Sequence, residues 1–128
     1  KKKLLNPTKI YSKEILILTK KNLIHSAAHI TGGGLVENLL RSIPINLTLN
    51  IDLNKIKILK IFKWIKSKNI SDYEMMRTFN LGVGFCLIVN KKYISQIRKV
   101  FPKSYKPYEI GYISKEKSKV KLKNSLKW

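Results

Sequence analysis

The stretch His29-Ile30-Thr31-Gly32-Gly33-Gly34-Leu35-Val36-Glu37-Asn38-Leu39-Leu40-Arg41 sets three consecutive glycines between an apolar segment and a helical pattern. Glycine loses more conformational freedom on folding than any other residue, so three in a row belong where the backbone must turn with positive φ or come close to something. The segment before them, Ile24 to Thr31, is apolar and rich in small residues, and reads as a buried strand or the end of a helix; the strand is the better reading. Behind them Leu35, Leu39 and Leu40 recur at helical intervals until Pro44, which predicts a short helix from Gly34 to Ser42. A glycine turn that feeds a helix presents amide N–H groups at the helix's positive end, where oxyanions are favoured. Helical spacing sets Gly34, Asn38 and Arg41 on one face, while His29 and Thr31, two apart, would share a face of the strand and add a proton-transfer ring and a hydroxyl. Walker A and dinucleotide spacings are both missing, because no Gly-Lys-Ser/Thr follows and the glycines lack the G-x-G-x-x-G pattern.

Outward from this stretch, helices and strands interleave. Asn6-Pro7 is an expected helix opening, and Ile10, Glu14, Ile17 and Leu18 continue the helix to about Lys21. Ile45 to Ile51 alternates apolar and polar for seven residues, the period of a half-buried strand. Ile58, Ile61, Phe62 and Ile65 fall at i, i+3, i+4 and i+7, which predicts an amphipathic helix from Asn54 to Ser67. Ser71 and Asp72 can cap a helix through Arg77, Gly82 to Val89 reads as a buried strand, and Tyr93 to Phe101 as a helix ended by Pro102. Glu109–Ile113 and Lys119–Leu122 close the chain as two strands, the second with edge-type lysines. The expected fold class is α+β, mixed α/β layers in a single domain over residues 1–128.

The chain has 128 residues, 44% of them hydrophobic, enough for one core and too few for two independent ones. Its apolar runs stop far short of the roughly 20 residues a membrane span needs. The lysine-rich start lacks the apolar stretch of a secretory signal, and one cysteine, Cys86, fits a reducing compartment; a cytoplasmic protein is expected. The net charge is +20, from 27 basic and 7 acidic residues. Such a balance can mark a nucleic-acid binder. Yet only Arg41, Arg77 and Arg98 are arginines, and the lysines are scattered and accompanied by many Ile and Asn residues, the pattern of drift in an AT-rich genome. No cysteine-histidine spacing suggests a metal site.

Four blocks in order, Leu4 to Tyr11, Ala28 to Asn38 with Arg41, Ile61-Phe62-Lys63-Trp64-Ile65, and Glu74 to Gly84, give the chain a strong likeness. It resembles the C-terminal domain of the phosphoribosylformylglycinamidine cyclo-ligase family, the aminoimidazole ribonucleotide synthetases, from Leu4 to about Leu122. Leu40 stands where that family usually has proline, and the first elements of its C-terminal domain are not matched. The resemblance implies ATP-dependent ring closure in purine biosynthesis: the amide oxygen of formylglycinamidine ribonucleotide is phosphorylated, the amidine nitrogen attacks the activated carbon, and phosphate leaves as the imidazole closes. It also implies a homodimer, with ATP and Mg2+ bound mainly by an N-terminal half that this sequence does not contain. The chain is therefore expected to be inactive by itself, and to need that half or a second polypeptide.

By the same resemblance His29 is the candidate catalytic residue, and Thr31, Gly32, Gly33, Gly34, Asn38, Arg41, Arg77 and Asn80 are candidates for substrate binding. The Gly82-Val83-Gly84 pair of glycines alone more often permits close packing than ligand contact, and His25 and Cys86 read as structural. Two alternatives remain open on the residues: another ATP-dependent member of the same superfamily, against which the Arg77-Thr78-Phe79-Asn80 block argues, and a small basic nucleic-acid-binding protein.

Overall fold

A computed structural model describes residues 7–128. It contains five α-helices, α1 (Ser12–Lys20), α2 (Gly34–Leu40), α3 (Lys60–Lys66), α4 (Asp72–Thr78) and α5 (Ile94–Val100). Its strands are β1 (Ser26–His29), β2 (Thr48–Asp52), β3 (Phe85–Ile88), β4 (Gly111–Ser114) and β5 (Val120–Lys123). β1 and β3 form a two-stranded sheet, and the others a three-stranded sheet in the order β4-β2-β5. The α+β class expected from the sequence is what the chain adopts. The described residues divide into two compact units, residues 7–26 with 87–108, and residues 27–86 with 109–128.

In the first unit α1 packs on α5, burying Leu18, Leu23, Ile97 and Phe101. Helix α1 starts at Ser12, not at Pro7, and the expected cap Asn6 lies outside the described residues. The first turn is lost because β-branched Thr8 and Ile10 favour it weakly, and because the Tyr11 ring meets Tyr105 edge-on at 6.3 Å. Asn22 then leaves the helix with φ of 51°, a conformation asparagine tolerates better than most residues. Glu14 is buried beneath the Tyr105 hydroxyl, and this hydrogen bond pushes the phenol's pKa upward.

The second unit carries the main core, which includes Ile30, Leu35, Leu39, Leu49, Ile51 and Met75. Its sheet is mixed: β2 runs antiparallel to β4, with Leu49 opposite Ile113, and parallel to β5, with Leu49 opposite Val120. β2 is shorter than the alternation suggested. After Pro44 the chain turns, with the Leu47 amide donating to the Pro44 carbonyl, and Ile45 is left 81% exposed. Nor is β2 half-buried, since central placement also buries its polar side: Thr48 is 0% and Asn50 2% exposed. Thr48 Oγ1 accepts from the Glu116 amide and donates to the Glu116 carbonyl, both at 3.2 Å, and Asn50 Nδ2 donates to Ser114 Oγ at 2.8 Å. β5 is an edge strand carrying Lys121 and Lys123, as its composition implied.

The expected helix over Asn54–Ser67 breaks into a 3-10 turn, Leu53–Lys55, an extended stretch, and then α3. Asp52 caps the turn by accepting from the Asn54 amide. In the extended stretch Ile56 is buried and the Leu59 amide donates to the Leu81 carbonyl, so a tertiary contact overrides the helical period. Helix α4 begins where Ser71 predicts, with Ser71 Oγ accepting from the Glu74 amide at 3.2 Å. Asp72 in its first turn accepts from Trp128 Nε1 at 2.9 Å and pairs with Lys66 Nζ at 2.7 Å, tying α4 to α3 and to the end of the chain. The hydrogen bond from Lys66, followed by that from Trp128, holds the Asp72 carboxyl below its usual range against an opposing contribution from burial.

Candidate functional site

The glycine bend is built for contact with α4 as much as for any ligand. Gly33 and Gly34 have φ of 91° and 67°. A β-carbon on Gly34 would lie 1.8 Å from the Met76 carbonyl oxygen, so α2 and α4 touch backbone to backbone there. Gly32, in contrast, faces open space. The Gly34 amide donates to the Thr31 carbonyl at 3.2 Å, closing the bend on itself. Asn38 turns inward rather than out: Nδ2 donates to Gly34 O at 2.7 Å and to Gly32 O at 3.1 Å, which ties the bend to the second turn of α2.

The packing of α2 on α4 brings the two sequence blocks together. A hollow of about 170 Å³ opens between them, lined by Ile30, Thr31, Phe62, Thr78, Phe79 and Asn80. Thr31 reaches it because β1 ends at His29, so Thr31 belongs to the bend instead of sharing the strand face with His29. Asn80 reaches it from the turn after α4, where its Oδ1 accepts from the Gly82 amide at 3.0 Å and its carbonyl accepts from Val83. Two threonines and an asparagine thus share the lining with aromatic and aliphatic residues, a surface suited to a ligand with hydrogen-bonding groups on a flat ring or chain.

Of the residues singled out by sequence, the hollow unites Thr31 and Asn80. His29 lies outside its lining, exposed, with its ring stacked on Phe85 at 5.8 Å between centroids. Arg41 pairs with Glu37 one turn earlier on α2, and Arg77 sits 3.6 Å from Glu74, so both exposed guanidinium groups face carboxylates of their own helices. Gly33 lies beneath the Glu37 carboxylate, since a β-carbon there would be 2.5 Å from Glu37 Oε2. That negative group opposes an anion directly over the bend. Thr78, Phe79, Phe62 and Ile30 were not singled out, although Thr78 and Phe79 lie within the Glu74–Gly84 block and Phe62 within the Ile61–Ile65 block. Cys86, buried in the core, has its thiol pushed up to about 12 by burial, which leaves it inert as a nucleophile. Among the described residues no three His, Cys, Asp or Glu side chains gather to hold a metal ion, and the hydroxyl-and-amide hollow does not suit Mg2+, which prefers carboxylates.

Residues 1–123 match the C-terminal domain of the AIR synthase related proteins, and the chain belongs to that family. Within it, the chain is 44% identical over 117 residues to a phosphoribosylformylglycinamidine cyclo-ligase of Enterococcus faecalis, covering 91% of this chain and 33% of the relative. It is 40% identical to the cyclo-ligase of Ligilactobacillus salivarius over 116 residues, covering 89% of this chain and 34% of that protein. It is also 41% identical over 127 residues to the trifunctional purine biosynthetic protein adenosine-3 of Gallus gallus, covering 96% of this chain and 13% of that one. The chain thus spans about a third of the length of the bacterial relatives it matches. The family expected from the four sequence blocks is the family found. Among the described residues no helix is long and apolar enough to cross a membrane.

Proposed function

We propose that the chain is the substrate-binding C-terminal part of an ATP-dependent cyclo-ligase that closes the imidazole ring of aminoimidazole ribonucleotide from formylglycinamidine ribonucleotide. The observation that carries this reading is the 44% identity, over nine-tenths of the chain, to a protein bearing that name. ATP supplies the phosphoryl group that makes the amide oxygen a leaving group, and it is held with Mg2+ by a nucleotide-binding half outside these 128 residues. The residues described here bind and orient. Thr31 and Thr78 offer hydroxyls and Asn80 a carboxamide to the polar groups of the substrate, while Phe62 and Phe79 exclude water from one side of it. Gly32, next to Thr31 in the chain, faces open space. Asn38 keeps the bend in shape, with Gly33 and Gly34 allowing that shape. Arg41 and Arg77 engage the substrate by exchanging their carboxylate partners for it, and His29 is the proposed catalytic residue. The active assembly is a homodimer in the reducing cytoplasm.

Incubated alone with ATP and formylglycinamidine ribonucleotide, the chain is expected to form no imidazole product. Joined by the nucleotide-binding half of a relative, it should form product, and Thr31→Val and Asn80→Ala should each raise KM about tenfold or more, the loss of one or two hydrogen bonds to substrate. Turnover by the chain alone would refute the need for a second half. A joined assembly that folds but binds no formylglycinamidine ribonucleotide would refute the function.

A further inference from the structure

A second hollow, away from the first, lies where the β4–β5 connection passes the turn before β2. It measures about 450 Å³ and is lined by Ile45, Leu47, Lys115, Lys117 and Lys119, with Glu116 among them. Three features set it apart. The connection is held in place: Thr48, wholly buried, bonds both backbone groups of Glu116, the Leu49 amide donates to the Lys119 carbonyl at 2.9 Å, and Ser118 Oγ donates to the Val120 carbonyl. The Glu116 carboxylate is occupied, since it pairs with Lys121 and accepts from Ser114 Oγ at 2.7 Å. Among the ion pairs of the described residues, none engages Lys115, Lys117 or Lys119. Three exposed lysines therefore border one cavity, with Ile45, 81% exposed, on its apolar side.

We propose that this hollow binds a small phosphate ester with a flat aromatic ring, of nucleotide size. The phosphate answers the lysines and the ring covers Ile45 and Leu47. The volume lies in the range of small-ligand sites. A nucleic-acid surface fits less well: the charge comes from one five-residue connection around a concavity, and no arginine fork lies in it to grip a duplex backbone. The site is independent of the Thr31–Asn80 hollow and of the reaction proposed for it.

The test is an amide NMR titration of the chain with adenosine monophosphate, adenosine, inorganic phosphate and a short DNA duplex. Adenosine monophosphate should shift the amides of residues 45–47 and 115–119, and both adenosine and phosphate should bind at least tenfold more weakly. The triple variant Lys115→Gln, Lys117→Gln, Lys119→Gln should lose at least tenfold in affinity with the remaining spectrum unchanged. The control Lys91→Gln, Lys92→Gln, Lys99→Gln should keep it. Equal losses in both variants, phosphate binding as tightly as the nucleotide, or duplex DNA competing more strongly at the same amides would each overturn the proposal.

Discussion

Replacing Gly34 by alanine tests whether the glycine bend exists for helix packing or only for flexibility. Two costs act together. Gly34 has φ of +67°, a region that costs a side-chain-bearing residue about 1–2 kcal/mol. The new methyl would also sit 1.8 Å from the Met76 carbonyl oxygen, where ordinary contact begins at 3.4 Å. The obstacle is backbone and cannot rotate away, so α2 must move off α4, at an overpacking cost of about 1–3 kcal/mol. The expected loss is therefore about 2–5 kcal/mol, which for a chain of this size lowers Tm by roughly 8–20 °C. Gly32→Ala is the companion: its methyl meets nothing within 4 Å and its φ is not in the left-handed region, so stability should change by less than about 0.5 kcal/mol. Urea denaturation followed by circular dichroism measures both. If Gly34→Ala unfolds within about 1 kcal/mol of the parent, or Gly32→Ala costs as much as it does, the backbone contact between α2 and α4 is not what fixes the bend.

Two further outcomes follow from charge and burial. Since the folded Asp72 carboxyl titrates below its usual value of 3.8, the Lys66 and Trp128 contacts contribute stability above that pH that fades as pH falls through the folded value. Asp72→Asn should flatten the decline in stability as pH falls below about 4, and cost less than about 1 kcal/mol at neutral pH because the pair is half-exposed; an unchanged acid slope would contradict the assignment. Cys86, with its thiol pushed up to about 12, should resist iodoacetamide at pH 8 in the native chain and react at the rate of a free thiol in 6 M guanidinium chloride, as mass spectrometry of the quenched time course would report.

Local chemistry was readable in advance, and partnerships across the chain were not. Ser71 announces the start of α4 because a cap is made within three residues. The glycines announce a bend, and Leu35 and Leu39 the buried side of α2, for equally local reasons. Of the apolar stripe, Ile58, Phe62 and Ile65 pack against the core as expected, yet only its later part is helical, because Leu81, more than twenty residues on, accepts from the Leu59 amide. The Ile45–Ile51 alternation hid the burial of Thr48 and Asn50, since a strand's own sequence does not reveal that neighbours flank it on both edges. At the site, Thr31 and Asn80 stood out separately, but spacing could not tell that Thr78 joins them. Nor could it tell that Asn38 spends its amide protons on Gly32 and Gly34, or that Glu37 and Glu74 are set to engage the arginines.

The central place of β2 has a consequence during synthesis. Its two neighbours are made about sixty to seventy residues later, so a growing polypeptide emerging from the ribosome carries Leu49 and Ile51 with neither edge of their strand satisfied. At about 5–20 residues per second that interval lasts on the order of 3–14 s, long enough for an unpaired apolar strand to meet another nascent chain. Its best protection is to be shielded by a chaperone until β4 and β5 arrive.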